Sequence, residues 1–93
     1  MTKTVSIDVS KVSSSQEFHE ILKGKLGLPD YYGMNWDAFW DSITGLIEMP
    51  DKIELTGWMH LRKVLPVDSE IFLKCVLDYN DIPNVKQIES YLG

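Results

Sequence analysis

The pattern that most restricts the fold is an alternation of two hydrophobic periods along the chain. Thr4 to Val9 sets Val5, Ile7 and Val9 between polar residues, and Asp51 to Thr56 does the same with Ile53 and Leu55. Val85 to Tyr91 sets Val85, Gln87 and Glu89 against Lys86, Ile88 and Ser90. Each run reads as a short strand, because successive strand side chains point to opposite faces. Between the strands, apolar residues recur at helical spacing. Ser14 to Glu17 fits a capping box, opening a helix with Phe18, Ile21, Leu22 and Leu26 that ends at Gly27. A second helix is expected from Trp36 to Thr44. Thr56 or Gly57 opens a short one with Trp58, Leu61 and Leu65, which Pro66 stops. Asp68 or Ser69 caps a longer one through Ile71, Phe72, Cys75, Val76 and Tyr79, and Asn80, Asp81, Pro83 and Asn84 make a turn. Strands alternating with helices predict an α/β fold, a small parallel sheet with right-handed helical crossovers. With no internal repeat, low-complexity segment or linker, residues 1–93 are expected to form a single small domain with one modest core.

Charge is distributed less evenly than hydrophobicity. No Lys or Arg lies between Lys25 and Lys52, whereas Asp30, Asp37, Asp41, Glu48 and Asp51 do, and these five account for the whole formal net charge of -5. The same window holds Tyr31, Tyr32, Trp36, Phe39 and Trp40, five of the ten aromatic residues. Within it, Asn35 is a suitable N-cap, Gly33 permits a sharp turn, and Gly45 is a plausible C-cap. At 3.6 residues per turn, Trp36, Phe39 and Ile43, with Leu46 and Ile47 if the helix continues, form a core face. Asp37, Asp41 and Thr44 share a second face, with Trp40 at its border and Ala38 and Gly45 on its other flank. Like charges at i, i+4 repel by a few tenths of a kcal/mol, and Asp41 lies towards the negative end of the helix dipole. Acids placed against local preference point to something outside the chain that they meet.

The run Leu-Pro-Asp-Tyr-Tyr-Gly-Met-Asn-Trp-Asp-Ala-Phe-Trp-Asp-Ser-Ile-Thr-Gly, residues 28 to 45, resembles the barstar family of intracellular inhibitors of barnase-type secreted ribonucleases. Leu28, Pro29, Tyr31, Tyr32, Gly33, Asn35, Asp37, Ala38, Trp40, Asp41, Thr44 and Gly45 match the family's hallmark segment as they stand. The resemblance implies a three-stranded parallel sheet with helices packed on it. It further implies an inhibitor that fills the active site of a basic ribonuclease 1:1, with Asp41 as central anchor and Asp37 pairing with a neighbouring base. Tyr31 would stack at the rim, while Gly33, Asn35, Trp36, Trp40, Thr44 and the Gly45 backbone complete the contact. Asp78, on a later helix, stands where the family has the longer Glu. Met34, Trp36 and Leu46 also depart from the prototype, which points to a cognate nuclease other than barnase itself.

Other chemistries fare less well against the residues. Asp37 and Asp41 are spaced for a carboxylate pair, but the window supplies no His, Lys or Arg to complete a reaction centre. His19 and His60 lie in different helices with no Cys or His at ligand spacing, and read as surface or half-buried imidazoles rather than a zinc site. Asp37, Asp41 and Glu48 lack the fixed oxygen spacing of a calcium loop. No metal or cofactor is therefore expected. The acidic balance argues against direct nucleic-acid binding, which needs clustered Lys and Arg. Trp36 and Phe39 read as core, Tyr31 and Trp40 as partly exposed, and Tyr32 as either a buried loop anchor or part of an aromatic contact surface. The lone Cys75 reads as a buried thiol in a reducing compartment, and no apolar run reaches the roughly 20 residues of a membrane span. With no signal-peptide core after Met1, a cytoplasmic protein is expected, monomeric when free because its acidic face repels a copy of itself. The alternative partner is a different basic target, such as a DNase, another toxin or a regulatory protein.

Overall fold

The computed structural model describes residues 2–93. Its elements run β1 (Thr4–Asp8), α1 (Ser15–Leu26), α2 (Trp36–Gly45), β2 (Lys52–Thr56), α3 (Trp58–Val64), α4 (Pro66–Asn80) and β3 (Glu89–Leu92). The strands form one sheet in the order β1-β2-β3, parallel throughout. The α/β fold with helical crossovers is thus the one expected.

Register aligns the apolar positions. Val5 lies beside Ile53 and Ile7 beside Leu55, and all four face the core. Both crossovers advance in the same direction across the sheet, so crossovers of one hand put their helices on one face. The other face stays open, although parallel sheets are usually covered on both sides. Thr4, Ser6, Asp8, Glu54, Thr56, Glu89 and Tyr91 are exposed there. Polar contacts tie that face together: Ser6 donates to Glu54 at 3.2 Å, Lys52 lies 3.8 Å from Glu89, and the Tyr91 hydroxyl donates to Glu89 at 2.9 Å.

The core centres on Phe18 of α1, Phe39 of α2 and Phe72 of α4, all fully buried. Phe72 meets Phe18 at 5.5 Å and Phe39 at 5.8 Å between ring centroids. Truncating any of these rings should cost about 3–5 kcal/mol. The cluster matters for function because it fixes α2 against α4.

Half of the capping box forms: Ser14 accepts from the Glu17 amide, but the Glu17 carboxylate accepts from the Ser13 and Ser14 hydroxyls and not from the Ser14 N–H, while Gly27, at φ 68°, closes α1. Five expectations shift. Gly45 is the last residue of α2 rather than its cap, and Leu46 takes that role at φ −113°. Leu46 is also exposed, not part of the core face, while the unremarked Ser42 is buried. Pro66 does not merely stop α3; it is the first residue of α4, where its fixed φ and missing N–H suit a helix start. Asp68 and Ser69 therefore lie inside the first turn instead of capping it. Finally, β3 begins at Glu89, not Val85, because the Asn80 side chain takes both backbone groups of Ile88. Its Oδ1 accepts from the Ile88 N–H at 2.7 Å and its Nδ2 donates to the Ile88 carbonyl at 3.0 Å.

Candidate partner-binding surface

Asn35 starts α2 as its sequence position requires. Its Oδ1 accepts from the Ala38 N–H at 2.7 Å, and its Nδ2 reaches back to the Gly33 carbonyl at 3.1 Å. The turn into the helix places the left-handed backbone on Met34, at φ 53°, not on Gly33. Gly33 serves by lacking a side chain: a Cβ there would lie 3.1 Å from the Asn35 amide.

The preceding loop is held by one aromatic and displays another. Tyr32 is buried, its hydroxyl 2.6 Å from Nδ1 of His19 and 3.3 Å from the Asn35 carbonyl, to which it donates. Burial pushes its phenol pKa up. Of the two readings open for Tyr32, the structure selects the buried anchor. His19 is not a surface imidazole but fully buried, and desolvation lowers its pKa against the opposing field of Asp68. Tyr31, the next residue outward, is 77% exposed.

Trp36 turns inward. Its ring packs at a tilt against His19 at 4.4 Å between centroids, meets Phe39 edge-on at 5.3 Å, and its Nε1 donates to Asp68 at 2.8 Å. It is thus a bridge between α1, α2 and α4 whose outer edge still reaches the surface groove. Trp40 is half-buried on the same border. Thr44 is exposed and donates to the Trp40 carbonyl at 2.7 Å, and Gly45 is exposed beside it.

Asp37 and Asp41 are both exposed, and no ion pair among the described residues involves either. The last turn of α2 carries no basic residue to offset them. Together with Trp36 and Trp40 they form one wall of an open groove. Ile71, Lys74, Cys75 and Asp78 of α4 form the other. Asp78 is therefore brought to the surface carrying Asp37 and Asp41, as its position implied, but it is already paired with Lys74 at 2.9 Å. Sequence reading passed over Lys74, although a Lys four residues before an acid on one helix is a readable signal. Cys75 is a buried free thiol in the groove wall, and desolvation raises its pKa. Tyr31 stands outside this groove, on the loop leading into α2.

Among the described residues no group of three or more His, Cys, Asp or Glu side chains is placed to hold a metal ion. Among the same residues no helix is long and apolar enough to cross a membrane. Part-exposed aromatics such as Trp36 and Trp40 are the side chains enriched where proteins recognise one another, and here unpaired carboxylates stand beside them.

Comparison with known sequences agrees with that class. The sequence model of the family described as "Barstar (barnase inhibitor)" matches residues 2–91, and the chain belongs to the barstar family. The family is one of inhibitors, not enzymes. A Bacillus subtilis (strain 168) protein named "Putative ribonuclease inhibitor YrdF" is 42% identical over 48 residues. That alignment spans 52% of this chain and 53% of the relative, about half of each.

Proposed function

We propose that the protein inhibits a basic ribonuclease of the barnase type, as an immunity protein, by placing α2 and the loop before it over the enzyme's active site. A ribonuclease must present Arg, Lys and His around the phosphate it cleaves. Asp37 and Asp41, on one face of a helix, offer carboxylates where phosphates would lie. Asp41 is the central anchor, Asp37 pairs beside it, and Tyr31 stacks at the rim. Gly33, Asn35, Trp36, Trp40, Thr44 and Gly45 shape the remainder, with Asp78 across the groove. The observation that carries this reading is the unpaired state of both exposed acids, set one turn apart on the same helix face.

Complementary fields govern encounter rate and selectivity more than final affinity. The net charge of -5, confined to the Asp30 to Asp51 window, supports steering of a cationic partner. The free, buried Cys75 thiol supports a reducing cytoplasmic setting. Binding is expected 1:1, with the free protein monomeric. The test is inhibition of a purified barnase-type ribonuclease at equimolar protein, with Asp41→Ala and Glu54→Ala in parallel. Glu54 lies on the open sheet face, so its variant should inhibit as wild type does, while Asp41→Ala should lose most inhibition with its fold intact. Equal inhibition constants for the two variants would refute the assignment.

A second reading, a different basic toxin or regulatory protein as partner, is favoured by the Lys74–Asp78 pair, which makes the groove less uniformly acidic. Capture of a non-ribonuclease basic protein that Asp41→Ala fails to retain would establish it.

A further inference from the structure

We infer that Lys74 is a specificity-determining residue of the groove: it disfavours partners whose docking rim is uniformly basic and favours one that sets a carboxylate opposite α4. The inference rests on the reading of α2 as the docking helix. Lys74 occupies the α4 wall of the groove, facing the wall that carries Asp37 and Asp41. Its ammonium lies 2.9 Å from Asp78, and the two side chains are 72% and 47% exposed, so a docked partner meets the pair directly.

Helix stability gives little reason for this pair. The favourable order at i, i+4 puts the acid nearer the N-terminus, and here the order is reversed. Asp78 lies in the last turn of α4, where the dipole disfavours a carboxylate and no basic residue is present. Asp41, in the middle of α2, has no cation beside it, whereas Asp78 does. The groove therefore presents two free carboxylates, one occupied carboxylate and one ammonium. An incoming guanidinium aimed at Asp78 finds its acceptor taken and a like charge beside it. A partner carboxylate over Lys74 removes that repulsion and leaves the partner's bases to Asp37 and Asp41.

The experiment measures association rates and inhibition constants of wild type, Lys74→Gln and Asp41→Ala against a purified barnase-type ribonuclease at low and high salt. Removing the cation and freeing Asp78 should speed association by about three- to tenfold at low salt, with the gain shrinking as salt rises. Melting curves of wild type and Lys74→Gln should nearly coincide, because an exposed pair of this kind contributes little to stability. If Lys74→Gln associates no faster than wild type, the inference is overturned, even where loss of inhibition in Asp41→Ala upholds α2 as the docking helix. If neither wild type nor Lys74→Gln inhibits at all, the docking reading itself has failed and the inference falls with it, whereas inhibition by Lys74→Gln alone would uphold both.

Discussion

The Tyr32 hydroxyl lies 2.6 Å from Nδ1 of His19, joining the loop before α2 to the buried side of α1. Tyr31, its neighbour, points into solvent. Two adjacent tyrosines thus lie in opposite environments, and their variants should separate too. Tyr32→Phe leaves the buried Nδ1 of His19 without a partner, while the Asn35 carbonyl keeps its bond from the Phe39 N–H, and should cost about 1–3 kcal/mol. Tyr31→Ala should leave the melting temperature unchanged and weaken inhibition. Chemical denaturation alongside inhibition assays checks both; a destabilised Tyr31→Ala would mean the exposed ring has a structural role.

The same contact predicts a pH dependence. Burial lowers the pKa of His19 in the folded state from its ordinary 6.5. The unfolded chain therefore takes up this proton first as pH falls, so the stability His19 contributes is full above about 6.5 and is lost below it. Nearby Asp68 opposes part of the shift. The melting temperature of wild type should decline between pH 7 and pH 5, and His19→Gln should show a shallower decline. Identical slopes would remove His19 as the source.

Asp41 should reveal a trade between stability and recognition. Asp41→Asn relieves the i, i+4 repulsion with Asp37, a gain of about 0.2–0.5 kcal/mol. For a chain of this size that is a rise of roughly 1–4 °C in melting temperature. Inhibition should fall in the same variant. A lower melting temperature would show that Asp41 has an intramolecular partner.

Gly57 should tolerate no side chain. It lies at φ 84° between β2 and α3, and a Cβ there would meet the Ser10 backbone at 2.5 Å. Backbone strain of order 1–3 kcal/mol adds to that clash. Gly57→Ala should therefore be among the most destabilising single substitutions, well above 2 kcal/mol in order of magnitude. By contrast Gly24→Ala, in the interior of α1 with open space at the Cβ position, should stabilise by about 0.5–1 kcal/mol. Urea titration of both variants tests the pair.

The existence and type of every element were readable, because the strand and helix periods differ and Ser14, Gly27 and Asn35 punctuate them. What stayed hidden depends on contacts across the chain. The start of β3 is set by the Asn80 amide, a side chain eight residues away. Pro66 is ambiguous by nature, since one ring both ends a helix and begins the next. The positive φ of Met34 has no signature in residue type, and the adjacent Gly33 draws attention from it. For the candidate surface, Asp37, Asp41 and Asp78 were legible from spacing and resemblance. The inward turn of Trp36 was only half legible: periodicity placed it on the core face, while its bond to Asp68 depends on how α2 packs on α4.

That packing leaves the molecule with its own optical reporter. Trp36 and Trp40 border the groove, whereas Trp58 is buried against Phe72 and lies outside it. A ligand closing over the groove would strip water from two of the three indoles and leave the third untouched. Fluorescence can therefore follow occupancy without a label, and a Trp58→Phe variant, which keeps only the two groove indoles, should show the same change if it comes from docking and not from loosening of the core.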